Sequence, residues 1–102
     1  MGFVRNGKMV LFSFDATTTA DFGDDIVLED FTSPSAIVSY KPNDAIMRDS
    51  ALIGSAMTEH AGNTAKIQVI YDTTNKVIKL RRTSGIVGTG IRLMGTAMWF
   101  AN

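Results

Sequence analysis

Cysteine is absent from this 102-residue chain, and proline, histidine and tryptophan are scarce at two, one and one. Without cysteine there is no disulfide and no thiolate metal site, and the chain carries no mark of redox compartment. One histidine excludes any two-histidine zinc site. No apolar run approaches the ~20 residues of a membrane-spanning helix, and the first twelve residues are too short and polar for a signal peptide. No membrane partner is expected. Excess charge of either sign is also missing, because ten Lys and Arg balance ten Asp and Glu. A neutral chain lacks the basic stripe of a dedicated nucleic-acid binder, so no nucleic-acid partner is expected either. The length is that of a single domain, residues 1–102.

What is present is unevenly placed. Residues 1–30 hold two basic side chains against six acidic ones, a balance of −4, with Asp24 and Asp25 at their centre. Residues 66–92 hold six basic side chains, Arg81 and Arg82 among them, against Asp72 alone, a balance of +5. Such segregation describes either two solvated faces or an acidic patch on one copy that meets a basic patch on the next. Complementary charge of that kind sets register and speeds docking more than it adds affinity.

Local pattern points to strands. "FVRNGKMVLFSFD" sets Asn6-Gly7 between apolar runs, the dipeptide of a type I′ hairpin turn. Its second arm puts Val10, Phe12 and Phe14 on one face and Met9, Leu11 and Ser13 on the other, which predicts a strand covered on both sides. "AKIQVIYDTTNKVIKLRRT" is a second hairpin, in which Ile67, Val69 and Tyr71 alternate with polar residues and Asp72-Thr73-Thr74-Asn75 supplies the turn. "DIVLEDF" and "AIVSYK" read as strands separated by a turn around Pro34. Residues 44–60 are ambiguous: a strand near Ala51–Met57 competes with a short helix near Asp44–Asp49, for which Asn43 or Asp44 is a cap. A final strand over Ile91–Phe100 brings the expected fold to mainly β, an antiparallel sandwich or barrel-like domain of about seven strands.

No catalytic motif withstands inspection. "GIRLMGT" has the glycine spacing of a phosphate cradle but neither its lysine nor its small intervening residues. "GIVGTG" lacks the glycine order and the βαβ setting of a dinucleotide fingerprint. "DFG" at residues 21–23 lacks every companion motif of a kinase. His60 has no positioned partner for acid–base work. Asp21, Asp24 and Asp25 lack the spacing and bidentate glutamate of a calcium loop. Lys66, Lys76, Lys79, Arg81 and Arg82 form the nearest thing to an anion patch, with Tyr71 as a possible stacking ring. No enzyme, no cofactor and no metal are expected.

The C-terminal strand raises the sharpest question. Leu93, Ala97 and Trp99 share one face with Gly95, where the missing side chain leaves room for a large ring on a neighbouring strand. Met94, Met98 and Phe100 share the other. A strand apolar on both faces must be covered twice, once by its own core and once by a second sheet or another subunit. The expected interface is therefore Met94, Met98, Trp99 and Phe100, joined by the charged pairs Arg81, Arg82, Asp24 and Asp25.

A short, cysteine-free, Thr/Gly/Asp-rich β chain that ends in "GTGIRLMGTAMWFA" resembles small tailed-phage virion proteins, both capsid decoration (cement) proteins and trimeric tail-fibre tips. The likeness covers the style of the whole chain and is strongest over Arg92–Ala101. It implies a non-enzymatic homo-oligomer, often a trimer, that sits on a virion assembled in the host cytoplasm. Its partners would be further copies of itself and a capsid or tail protein. The decoration reading takes precedence. The alternative is a receptor- or glycan-binding tail tip, with Tyr40, Tyr71 and loop aspartates as sugar contacts.

Overall fold

A computed structural model describes residues 2–32, 40–58, 65–85 and 87–101. Seven strands are formed: β1 (Gly2–Asn6), β2 (Met9–Thr17), β3 (Asp25–Asp30), β4 (Ala51–Thr58), β5 (Lys66–Asp72), β6 (Val77–Ser84) and β7 (Arg92–Phe100). All pair antiparallel in a single sheet of order β1-β2-β7-β4-β5-β6-β3, curled into a half-barrel. Of the two expected architectures, the barrel-like one is adopted. Glu59, His60, Pro34 and most of "AIVSYK" lie outside the described residues.

Both hairpins form, with one revision. Asn6 pairs with Met9, so Gly7 and Lys8 are the central turn residues rather than Asn6 and Gly7. Only Gly7 has positive φ (61°), as at the first central position of a type II′ turn. In the second hairpin Asp72 directs the turn: its Oδ1 accepts from the backbone N–H groups of Thr74 and Asn75, both at 3.0 Å. The strand reading of residues 51–57 is met by β4. The competing helix shrinks to one turn, where Asn43 Oδ1 accepts from the Ala45 N–H at 3.0 Å and the Asn43 carbonyl from Ile46 and Met47.

The sheet curls for identifiable reasons. Bulges interrupt the β3–β6, β4–β5 and β5–β6 ladders, and each adds bend and twist. Glycines allow tight approach at the β4–β7 seam. A Cβ on Gly95 would lie 2.5 Å from Phe14 Cζ, so Phe14 is the ring for which Gly95 makes room. A Cβ on Gly54 would collide with the Thr96 carbonyl oxygen. Curling brings Phe12, Phe14, Val69, Tyr71, Leu80, Leu93 and Trp99 together on the concave side. Each large side chain buried there contributes roughly 1.5–3 kcal/mol.

The ends of the half-barrel are closed by loops. Thr18 ties two of them together: its N–H donates to the Ile91 carbonyl at 2.9 Å and its hydroxyl to the Gly88 carbonyl at 2.7 Å. This places Phe22 and Val87 in the core. At the other end Trp99 Nε1 donates to the Tyr40 carbonyl at 2.7 Å, Asn43 N–H to Phe100, and Ala101 N–H to Lys8. Residues 99–101 are thus held by two separate parts of the chain, the 40–43 segment and the β1–β2 turn.

Candidate functional site

Alternation along the strands gives the sheet a convex outer face, and that face divides into two regions. Over β5, β6 and β3 it is charged. Paired residues share a face, so the rungs read Gln68–Arg81–Asp25 and Ile70–Lys79–Val27. Arg81 Nε donates to Asp25 Oδ1 at 3.1 Å, and Lys79 Nζ lies 3.3 Å from Asp25 and 3.4 Å from Asp72. The Asn75 hydrogen bonds, then the Lys79 ammonium, bring the Asp72 carboxyl from 3.8 to about 2. The Arg81 guanidinium likewise lowers that of Asp25.

Over β1, β2, β7 and β4 the outer face is apolar and open to solvent. One rung is Val4–Leu11–Met98, continued by Leu52 on β4. The next rung along the strands is Gly2–Ser13–Thr96–Ser55, all small or hydroxylated. Beyond it stand Met94 and Met57. Two depressions of about 600 and 530 Å³ lie on either side of Ser55 and Thr96. A third, of about 560 Å³, runs between Met9, Leu52, Met98 and Phe100 on the sheet and Ile46 in the 43–50 loop. Val4, Leu11, Ile46, Leu52, Met57, Met98 and Phe100 are each between 51% and 63% exposed. Five of the six methionines, Met9, Met47, Met57, Met94 and Met98, line these depressions.

The eight residues expected at an interface therefore separate into three groups. Met98 and Phe100 are half exposed on the apolar region and Met94 is partly so. Trp99 is only 2% exposed and belongs to the chain's own core, packed against Phe12 and Phe3. Arg81, Arg82, Asp24 and Asp25 meet one another inside the chain: Arg81 pairs with Asp25, and Arg82 Nη2 lies 3.9 Å from Asp24. Arg92 pairs with Asp15, and Arg92 Nε donates to its Oδ1 at 2.8 Å. The acidic and basic segments neutralise each other across β3–β6 and β2–β7, because antiparallel pairing sets the early strands against the late ones.

Two further expectations are revised. Of the two covers expected for the outer side of β2 and β7, a second sheet or another subunit, the described residues of this chain supply no second sheet. Tyr71 offers no ring to a base or a sugar: it is fully buried, and its hydroxyl donates to Asp44 Oδ1 at 2.6 Å. Burial and the Asp44 carboxylate both push the phenol well above its ordinary range. Tyr40 is half-buried and stacks on Phe3 at 5.0 Å. Among the described residues no group of three acidic or histidine side chains is placed to hold a metal ion. Val4, Leu11, Leu52 and Met57 were missed as surface residues. For Leu11 the signal is the double apolar alternation of β2, whereas Val4 on β1 and Leu52 and Met57 on β4 take their exposure from the sheet order that sets them beside it. Comparison with protein-family models, with curated proteins and with solved structures finds no match for this chain.

Proposed function

We propose that this chain is a non-enzymatic structural subunit of a virion, a decoration or cement protein that stabilises a shell through protein–protein contact. The observation that carries the reading is the solvent-open apolar region over β1, β2, β7 and β4. Monomeric proteins rarely expose apolar patches larger than a few hundred Å², and larger ones mark interaction sites. Methionine-rich surfaces suit this work, since the unbranched thioether adapts to its partner. The likeness to small phage virion proteins supplies the setting, a homo-oligomer on a particle surface.

The glycan-binding alternative keeps its loop aspartates but has less support from its two rings, because Tyr71 is in the core and Tyr40 is stacked and half-buried. The test is addition of the purified protein to shells that lack it. It should co-sediment with them and raise the temperature at which they break, while a glycan array stays blank. Glycan binding without shell binding would reverse the assignment.

A further inference from the structure

We propose that the apolar half of the outer face is the contact between two copies of this chain, packed sheet against sheet about a two-fold axis that crosses the strands. This names the partner of the surface that the assembly reading relies on, and it rests on that reading for the role of the dimer.

The area fits a second copy. Seven of the eight large apolar side chains that are half or more exposed lie on or beside this region, Val27 on β3 being the eighth, and each shows at most roughly 100 Å² on the aromatic scale of about 200 Å² per side chain. They offer at most on the order of 700 Å², against the ~300–600 Å² of the largest patch on an ordinary monomer. The figure is close to the ~800 Å² each partner gives to a standard interface.

The relief of the face is self-complementary. Rungs that share a face are two residues apart, about 7 Å along the strand. The Val4–Leu11–Met98–Leu52 rung is a ridge of large side chains, and the Gly2–Ser13–Thr96–Ser55 rung beside it is a trough. A two-fold axis between them seats each copy's ridge in the other's trough, so every contact occurs twice, as an isologous interface requires. The same operation carries Met94 over the partner's Phe100, both on β7, thioether against aromatic ring. Stacked sheets lie about 10 Å apart with strands within ~30° of alignment, which such rungs accommodate.

Sedimentation equilibrium of the full chain should give twice its 11.1 kDa. Leu11→Glu, on the ridge, should return it to 11.1 kDa with unchanged circular dichroism and Trp99 emission. Should that variant fail to fold, Met98→Lys on the same ridge replaces it. Ser55→Leu is the discriminating variant, because it makes the face more apolar while filling the trough. A fitted dimer loses affinity, whereas indiscriminate hydrophobic association gains it. A wild-type monomer, the trimer that the virion resemblance implies, or an oligomer strengthened by Ser55→Leu would each overturn the proposal. So would a monomer that binds phosphatidylcholine vesicles, which identifies a lipid surface. The two readings fail separately. A dimer that ignores shells keeps this contact and removes the cement role, and a monomer that binds shells through Leu11 does the reverse.

Discussion

Over β5, β6 and β3 the outer face is built chiefly from opposite charges that meet one another, with Val27 as its one large exposed apolar side chain among the described residues, while over β1, β2, β7 and β4 it is built from methionine, leucine, valine and phenylalanine that meet solvent. Both regions belong to one sheet and follow the same two-residue alternation. The charged region is complete in the monomer: Arg81, Lys79, Asp25 and Asp72 each have a partner within 3.4 Å. Among the described residues the apolar region has no second layer. Exposed ion pairs contribute little and are screened by salt, so the first region is a finished surface. Open apolar area gains free energy when covered, so the second is where assembly is favoured.

The largest expected effect separates the two sides of a single strand within the apolar region. Trp99→Ala removes a core ring and its hydrogen bond to Tyr40, and should cost about 3–5 kcal/mol out of a total of roughly 5–15. Its neighbour Phe100→Ser, on the outer side, should leave the monomer's urea midpoint nearly unchanged while it weakens association. Equal losses of stability would mean that both sides of β7 serve one core.

Next in size is the seam on which that region is built. Gly54→Ala places a methyl against the Thr96 carbonyl oxygen and the Ala97 backbone, 2.7 Å from Ala97 Cα. The clash is with backbone, so β4 and β7 must separate, and overpacking of this kind costs about 1–3 kcal/mol or more. An unchanged thermal midpoint would show that the seam is looser than its geometry.

Acid should act chiefly on the charged region. The folded-state carboxyl of Asp72 is held at about 2, below its ordinary 3.8. The stability it contributes is complete above the ordinary value and is lost as pH falls from there through about 2. The lowered carboxyls of Asp25 and Asp44 act in the same direction. Melting temperature should therefore decline through this window. Asp72→Asn should lower it at neutral pH and flatten the acid decline, and a decline just as steep in that variant would clear Asp72 of the effect.

Salt should act least. The notion that acidic and basic segments join neighbouring copies predicts dissociation at 1 M salt, where the Debye length is about 3 Å. Those segments pair within the chain, so the proposed dimer should persist at that salt in sedimentation, with stability changed by only a few tenths of a kcal/mol. Dissociation by salt alone would return the charges to the interface.

Much of this architecture could be read before the structure was known. Val10, Phe12 and Phe14 alternate with period two, as do Ile67, Val69 and Tyr71. Turn chemistry brackets both hairpins, and local sequence is enough where alternation and turns agree. The ring lodged over Gly95 could be anticipated from the missing side chain alone. Three things were decided only by tertiary structure. Residues 44–49 form one turn rather than a helix, because Asp44 is engaged by Tyr71 and Lys76 and Asp49 by Thr73. Opposite charges meet within the chain because sheet order places β3 beside β6 and β2 beside β7, and no local pattern encodes strand order. Composition shows that β2 and β7 are apolar on both faces. Whether the second face is covered depends on what packs against it, since curling encloses only the concave side, and among the described residues the convex side of this half-barrel stays open over β1, β2 and β7. Burial is a property of what lies opposite a strand, and the strand's own residues do not contain it.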